Sequence, residues 1–323
     1  MKWEGKSVLV TGAGGFIGSH LVEELLKKNA DVTAFLEYTQ NSDQKKLSAL
    51  KGQDFKVETG DLKIAATAES AVKGKDVVFH LASHVSIPYS YIRPAEVVYN
   101  NTIMATNMAE AARMHGAFLV HTSTSEVYGT AQYVPIDEKH PLQPQSPYAA
   151  SKLAADFIVA SYCKSFGLKT VTVRPFNTYG PRQSMRAVIP TIIVQALKRK
   201  EIKLGDLTPT RDFLFVKDTV SGFMKAAESG VCGEVINLGT NSEISIGDLA
   251  EKITGICGGG KVVADQKRKR PKTSEVFRLW CDNRKAKELL GWSPRYSLDE
   301  GLRLTAGWIK ENISAYDPDA YCV

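Results

Sequence analysis

The first half of the chain alternates short runs of β-branched and aliphatic residues with longer segments in which apolar residues recur every three or four positions. This alternation is typical of parallel strands joined by crossover helices. The run Val77-Val78-Phe79 contains no polar residue, as expected of a strand covered on both faces. The pattern predicts an α/β fold with a doubly wound parallel sheet. Strands are predicted at Ser7–Thr11, Asp31–Leu36, Phe55–Glu58, Asp76–His80, Phe118–Thr122 and Lys169–Arg174.

Helical patterns fill the intervals between these strands. In the first of them Ile17, Leu21 and Leu25 share one face, which we expect to be buried. Two longer helices are predicted at Pro94–His115 and Pro147–Phe166.

Beyond residue 176 the loops lengthen and the regular alternation stops. Short strands near Asp212–Val216 and Val235–Leu238 and helices at Val188–Arg199 and from Ser245 to Thr254 are predicted there. We therefore predict a first domain over residues 1–176, to which a segment near 217–240 returns, and a smaller α/β lobe over 177–216 and 241–323.

Composition narrows the class of protein. The 323 residues are 43% hydrophobic and 24% charged, which are ordinary globular values that exclude a disordered chain. No apolar run reaches the roughly 18–20 residues of a membrane span, and no signal-peptide core precedes the first strand, so we expect a cytoplasmic protein. The five cysteines form no C-x-x-C pair, which disfavours a zinc ribbon or a disulfide scaffold, and no metal site is predicted.

The net charge of +6 has one dense source, the basic run from Lys267 to Lys272. Such a run can be a solvated loop, a site for the phosphates of a small ligand, or a nucleic-acid contact. It lacks the interleaved aromatic residues of RNA-binding segments, so nucleic acid is the least favoured of the three.

A glycine-rich turn is the clearest local motif. Gly12, Gly15 and Gly18 stand between the first strand and the first helix, which begins with Phe16 and Ile17. In this setting the first glycine permits a tight turn, the second lets the backbone approach a pyrophosphate, and the third lets the helix pack closely. The motif predicts a Rossmann-type dinucleotide site at the helix N-terminus.

The other cofactor contacts should follow the strand ends. The candidates for the ribose-binding acid are Glu37 and, less well placed, Asp43, although the usual spacing falls nearer Leu36. Tyr38, Thr39 or Asn41 could contact the adenosine instead. Further candidates at the ends of the third and fourth strands are Asp61, Leu62, Leu81, Ala82 and Ser83.

Two segments carry candidate catalytic groups. Tyr148 and Lys152 are four residues apart and so lie on one helix face, where an ammonium group is expected to lower the pKa of the phenol. Thr124, Ser125 and Glu126 follow the fifth strand and bring a hydroxyl and a carboxylate to the same edge of the sheet.

Together these motifs resemble the extended short-chain dehydrogenase/reductase superfamily of nucleotide-sugar epimerases, dehydratases and decarboxylases, over essentially the whole chain. The resemblance implies NAD as cofactor and a catalytic triad of Thr124, Tyr148 and Lys152. It extends through the segments 174–182, 211–213 and 270–271. The residues to which it assigns ligand contacts are Pro175 for the cofactor, and Ser86, Tyr89, Asn177, Val188, Lys203, Arg211 and Arg270 for a nucleotide-diphospho-sugar.

Within the superfamily the chain is most similar to the NAD-dependent 4,6-dehydratases of the legionaminic-acid pathway, on the segments 87–91, 122–152 and 187–191. These enzymes act on a nucleotide-diphospho-N-acetylglucosamine. The resemblance implies oxidation at C4 with Tyr148 as base, removal of the C5 proton by Glu126, loss of water from C6, and return of the hydride to C6.

One residue departs from the dehydratases of dTDP-glucose, which carry Asp-Glu where this chain has Ser125-Glu126. Serine is a poor acid, so the proton donor to the C6 leaving group stays open. Uronate decarboxylases of the superfamily also carry Ser-Glu here. A UDP-glucuronate decarboxylase and a nucleotide-sugar 4-epimerase are therefore alternatives, and a non-catalytic protein that senses dinucleotide is a third. The nucleotide base, UDP, GDP or dTDP, also stays open.

The resemblance further implies a homodimer, built as a four-helix bundle from the helices Pro94–His115 and Pro147–Phe166. The residues expected at that interface are Met104, Met108, Ala111 and Phe157. The alternative is that these apolar faces only cover the sheet.

Overall fold

The computed structural model describes residues 1–37, 47, 54–199, 201–268 and 271–317. Its strands are β1 (Ser7–Thr11), β2 (Asp31–Glu37), β3 (Lys56–Gly60), β4 (Val77–His80), β5 (Phe118–Thr122), β6 (Thr170–Pro175), β7 (Asn177–Tyr179), β8 (Glu201–Leu204), β9 (Thr210–Arg211), β10 (Phe213–Phe215), β11 (Val235–Leu238), β12 (Ile244–Ser245), β13 (Lys261–Ala264) and β14 (Arg278–Leu279). Its helices are α1 (Phe16–Leu26), α2 (Ala65–Val72), α3 (Ile87–Ile92), α4 (Pro94–His115), α5 (Pro147–Phe166), α6 (Val188–Lys198), α7 (Val216–Ser229), α8 (Ile246–Cys257), α9 (Arg284–Leu290) and α10 (Leu298–Glu311).

A seven-stranded parallel sheet organises the first half of the chain. Its strand order is β3-β2-β1-β4-β5-β6-β11, which confirms the predicted doubly wound α/β fold. The chain leaves β1 toward β2 and β3, then crosses back to β4 on the other side of β1. In open α/β sheets ligands bind outside the carboxyl ends of the strands at such a reversal. The topology therefore brings the glycine turn and the segments after β4 and β5 to one edge.

Alternating side chains of the sheet enter two different cores. Leu9, Val78 and Leu119 pack under α2, α4 and α5, whereas Val10 and Phe79 belong to the core that includes α1 and α7. Both faces are therefore covered, which explains the uninterrupted apolar run of β4.

The two long helices have the bounds that the sequence predicts, because their ends carry strong signals. Each has proline in its first turn and ends at a left-handed glycine, Gly116 with φ 68° and Gly167 with φ 69°. The side chain of Ser146 also accepts a hydrogen bond from the N–H of Ala149 and so caps α5.

The second half of the chain forms three small sheets, β7–β10, β9–β12–β14 and β8–β13. It also returns to the large sheet, where β11 pairs with β6 and α7 packs against α1. The predicted domain boundaries themselves stay a prediction. The strand predicted at Asp212–Val216 is shorter, Phe213–Phe215, because Val216 begins α7 and Asp212 turns inward to accept the N–H groups of Thr240 and Asn241. Within the described residues, no helix is long and apolar enough to cross a membrane.

Candidate active site

The glycine turn is closely packed and requires its glycines. Gly12 has φ +66°, and a Cβ there would lie 2.9 Å from the backbone nitrogen of Ala82. A Cβ on Gly18 would lie 2.2 Å from the carbonyl oxygen of Gly12. Gly15 precedes α1 and supplies no side-chain cap, so Phe16 and Ile17 begin the helix at the positive end of its dipole. This arrangement suits a pyrophosphate, as predicted.

The turn is fastened to the strand end beside it. The hydroxyl oxygen of Thr11 accepts the N–H groups of Leu81 and Ala82, both at 3.1 Å, and hydrogen-bonds His80 Nδ1 at 2.9 Å. The predicted cofactor residues after β4 therefore lie directly against the glycine turn.

The residues predicted to be catalytic come together near the end of β5. They are Thr124, Ser125, Glu126, Tyr148 and Lys152. Thr124 lies close enough to Tyr148 to lower the pKa of its phenol, and the hydroxyl of Thr124 accepts the N–H of Glu126 at 3.2 Å. Ser125, Glu126, Tyr148 and Lys152 are all buried, with 3%, 8%, 8% and 4% of their surface exposed. A hydroxyl, a phenol, an amine and a carboxylate thus share one water-poor site.

Burial dominates the proton affinities of the site. It raises the pKa of Tyr148, a rise that the negative charge of Glu126 reinforces and the hydrogen bond with Thr124 opposes. The sequence predicted a lowered pKa for Tyr148, and this prediction is wrong. Among the groups that the protein itself supplies, burial has the largest effect on this phenol, and it raises the pKa. Burial lowers the pKa of Lys152 to about 8, against the raising effect of Asp156. The spacing of Tyr148 and Lys152 was visible in the sequence, but the balance of burial and charge was not.

Residues 9–305 match the family model described as GDP-mannose 4,6 dehydratase. The chain belongs to this family. It is 34% identical over 94% of its length to the UDP-glucose 4-epimerase of Mycolicibacterium smegmatis, of which it covers 98%. It is 32% identical over 95% of its length to UDP-glucuronic acid decarboxylase 1 of Xenopus tropicalis, of which it covers 73%.

Among solved structures, the chain is similar to dTDP-glucose 4,6-dehydratase from Streptomyces venezuelae, which was solved with NAD bound. The TM-score is 0.89 with 28% identity, over 97% of this chain and 99% of that one. The resemblance to nucleotide-sugar enzymes of the extended short-chain dehydrogenase/reductase type is confirmed. Because the relatives include an epimerase, a decarboxylase and a dehydratase, membership of the GDP-mannose 4,6 dehydratase family leaves the reaction to be argued from the site.

In this member of the GDP-mannose 4,6 dehydratase family, Lys63 lies between Glu37 and Asp61, two acidic residues predicted to contact the cofactor. Lys63 Nζ lies 3.2 Å from Asp61 and 4.0 Å from Glu37, which is exposed at the end of β2. The carbonyl of Leu62 accepts the side-chain amide of Asn107 at 2.9 Å. The alternative contacts Tyr38, Thr39 and Asn41 and the second acidic candidate, Asp43, lie outside the described residues.

Sequence reasoning missed Asn101, which joins the predicted cofactor residue Ser83 to α5, the helix that carries the predicted catalytic residues Tyr148 and Lys152. Its Oδ1 accepts from Ser83 Oγ at 3.1 Å, and its Nδ2 donates to Ser151 Oγ at 2.8 Å. Ser151 in turn donates to the carbonyl of Tyr148. The available signal was an asparagine on a helix face that otherwise carries core residues.

The predicted substrate residues lie in different settings. Ser86 caps α3 by accepting the N–H of Tyr89, and the phenol of Tyr89 donates to Glu96. Val188 begins α6, which packs against β8, where Lys203 is exposed. Pro175 ends β6 and is buried.

Two substrate candidates have properties that favour a polar ligand. The side-chain oxygen of Asn177 is buried and, among the described residues, has no hydrogen-bond partner. Arg211 is buried, and its guanidinium lies 3.3 Å from Glu275, a partner that the sequence analysis did not identify. Arg270 lies outside the described residues.

The loop at 130–145, after the predicted catalytic segment, is hydrogen-bonded to the distant segment at 273–282. The main-chain N–H of Ala131 donates to the carbonyl of Arg278, and that of Ile136 donates to the carbonyl of Trp280. The N–H of Asp282 donates to the carbonyl of Ile136. Gln145, just before α5, accepts the N–H of Thr130 and donates to the carbonyls of residues 273 and 275. The C-terminal segment that carries Glu275 is thus fixed to both ends of the catalytic loop.

Proposed function

We propose that the chain is an NAD-dependent nucleotide-sugar 4,6-dehydratase that converts a nucleotide-diphospho-N-acetylglucosamine-type sugar to its 4-keto-6-deoxy derivative. The observation that carries this proposal is the buried carboxylate of Glu126, placed close enough to Tyr148 for its charge to act on the phenol. The segment that contains Glu126 is one of the three on which the resemblance to N-acetylglucosamine dehydratases rests.

The residues around the glycine turn fit NAD. A Cβ on Gly12 or Gly18 would clash with backbone, and the first turn of α1 offers N–H groups to a pyrophosphate. Glu37 and Asp61 would hold the adenosine, while Leu81, Ala82, Ser83 and Pro175 would line the path to the reactive ring. When bound, the nicotinamide supplies a hydride acceptor and donor.

Tyr148 and Lys152 would act at C4 of the sugar. Tyr148 accepts the proton of the C4 hydroxyl, and Thr124 orients both oxygens by hydrogen bonding. Since burial raises the pKa of Tyr148, the phenolate needs a nearby positive charge, which Lys152 provides one helical turn away.

Glu126 bears differently on the three candidate reactions. Epimerisation at C4 needs no second base, so it leaves the carboxylate without a role. Decarboxylation needs no removal of a C5 proton, but uronate decarboxylases carry the same Ser-Glu pair, so Glu126 does not separate decarboxylation from dehydration. Dehydration needs a base for the C5 proton, which a 4-keto group acidifies, and Glu126 supplies one. Glu126 therefore favours dehydration over epimerisation, and the product masses separate dehydration from decarboxylation.

Asn177 and Arg211 would bind the diphosphate part of the substrate. The guanidinium offers a planar pair of donors for phosphate oxygens, and the side-chain N–H groups of Asn177 can donate to such oxygens as well. Val188 and Lys203 would contact the nucleotide base, whose identity stays open among uracil, guanine and thymine.

Product masses test the reaction directly. The purified protein is incubated with UDP-, GDP- and dTDP-linked N-acetylglucosamine, glucose and glucuronate, and the products are weighed by mass spectrometry. We expect an N-acetylglucosamine product lighter by one water. Loss of carbon dioxide from the glucuronate sugar would support the decarboxylase instead. A changed sugar of unchanged mass would support the epimerase. Stabilisation of the protein without any turnover would support the sensing role.

We also propose a homodimer, but through different residues from those expected. Met104, Met108 and Ala111 are wrong as interface residues, because they are buried within the chain's own core against the sheet. Tyr99 on α4 and Phe157 on the adjacent α5 are instead 61% and 60% exposed. Large apolar side chains on two neighbouring helices suit a second copy of the same surface.

Placing a charge on this surface should separate the protomers. Phe157→Glu would bury an unpaired carboxylate in the interface, so we expect monomers in sedimentation velocity where the parent sediments as a dimer. Phe277→Glu, which changes a 49% exposed phenylalanine in the other half of the chain, is the matched control and should leave the dimer intact. Sedimentation of the parent as a monomer would contradict the proposal.

A further inference from the structure

A row of buried polar side chains crosses the carboxyl edge of the large sheet on the face that α5 covers. Thr11, His80 and His121 are direct neighbours in register on β1, β4 and β5, and none is more than 2% exposed. The interior of a doubly covered parallel sheet is normally apolar. Polar groups in such a position are informative because each must be satisfied or serve a purpose.

Asp156 on α5 closes this row. It lies one helical turn beyond Lys152, is 4% exposed, and its Oδ1 lies 3.3 Å from His121 Nε2. Its Oδ2 accepts hydrogen bonds from Ser123 at 2.7 Å and from Arg174 at 2.9 and 3.1 Å. A carboxylate buried this deeply is stable only when it is paired and hydrogen-bonded, and these contacts fix its position.

The titratable side chains around Lys152 include neutral, positive and negative groups. His80 and His121 face it from β4 and β5; burial holds the pKa of both below the ordinary value, so they are neutral near pH 7. Arg174 on β6 forms an ion pair with Asp156 at 2.9 Å. Tyr148 lies one turn before Lys152, and the charge of Glu126 acts on that phenol. The charge that favours protonated Lys152 is that of Asp156, as noted above.

We propose that Asp156 is a positioning residue for the active site: its carboxylate, held by Ser123 and Arg174, keeps the buried Lys152 ammonium charged one turn from Tyr148. The inference rests on the proposed function for the role of Lys152 in turnover. Its electrostatic content, the effect of the Asp156 charge on the protonation of Lys152 one helical turn away, does not depend on any substrate.

The stability of the protein measures this effect of Asp156 on Lys152 without any substrate. The pKa of Lys152 is 10.5 in an unconstrained chain and about 8 in the fold. Between these values the unfolded chain binds more protons at this site, so the free energy of unfolding rises with pH across that window. In Lys152→Met this rise is lost. Denaturant unfolding at a series of pH values measures the free energy of unfolding of the parent and of Lys152→Met. The difference between these two free energies, plotted against pH, gives the pH at which the rise begins, which we call the onset.

Asp156→Asn should move that onset to lower pH by about one unit or more, since an opposite charge at close range is removed. Asp156→Glu restores the charge and should return the onset toward that of the parent. A residue with only a structural role would lower stability at every pH and leave the onset where it is. An unchanged onset in Asp156→Asn would overturn the proposal.

Asp156→Asn leaves the buried Arg174 without its carboxylate partner, so this variant can fail to fold. The comparison is then made between Arg174→Gln and the double variant Arg174→Gln with Asp156→Asn. We expect the onset to lie at lower pH in the double variant, and an equal onset in both overturns the proposal. The basic limb of the kcat/KM profile should move with the onset. A moved onset in a protein that turns over no nucleotide sugar supports the effect of Asp156 on Lys152 and counts against the proposed function instead.

Discussion

Tyr148→Phe should lower turnover by about 10²–10⁴-fold, the effect typical of losing a general acid–base group, while the protein keeps its fold. The substitution deletes only the phenolic oxygen, and it leaves the buried ring in place. Binding of the dinucleotide should survive, because the glycine turn lies on a different element. Steady-state kinetics measure turnover, and mass spectrometry of the denatured protein measures the NAD it releases.

The matched control removes the same atom from the same helix. Tyr162 also lies on α5, about 20 Å further along the helix axis, and Tyr162→Phe should leave turnover unchanged. Near-normal turnover in Tyr148→Phe would remove this phenol from the mechanism. Release of NADP rather than NAD by the parent would overturn the assigned cofactor.

Glu126→Gln should separate oxidation at C4 from elimination. The amide keeps the shape of the carboxylate and can still hydrogen-bond, but it cannot accept the C5 proton. We expect the variant to oxidise the substrate once and then stop, so that the absorbance of reduced nicotinamide appears and does not decay. Rapid mixing with the substrate, followed in the near ultraviolet, measures this trapped state.

Solvent deuterium gives an independent check on the same carboxylate. In the parent, a product formed in heavy water should carry deuterium at C5, because C5 is reprotonated after the elimination. Glu110→Gln, on the surface of α4, is the control and should behave like the parent. Completion of the dehydration by Glu126→Gln at the parental rate would exclude Glu126 as the base.

The large sheet and its long helices were predictable because their signals are local. Ser146 and Pro147 begin α5 and Gly167 ends it, and an apolar run such as residues 77–79 is favourable only between two covered faces. The small strands of the second half were less predictable. Asp212 lies next to a strand in sequence, but it turns away because distant N–H groups satisfy its carboxylate.

The site was predictable where it rests on spacing along one element. Gly12 and Gly18, or Tyr148 and Lys152, are related by a single turn or helix, so sequence alone places them. Asn101 and Glu275 could not be found in this way, because each meets its partner only after distant segments have folded together. The proton affinity of Tyr148 also depends on burial, which is a property of the whole fold.

The interleaving of the loop at 130–145 with the segment at 273–282 constrains how such enzymes can recombine. A crossover between homologous genes placed anywhere between the two segments would take the loop from one parent and its backbone partners from the other. The hydrogen bonds of Ala131 and Ile136 need only main-chain groups and survive the exchange, whereas the bonds of Gln145 need a particular side chain. A recombinant should therefore acquire the substrate preference of one parent most readily when both segments come from that parent, although they lie far apart in the gene.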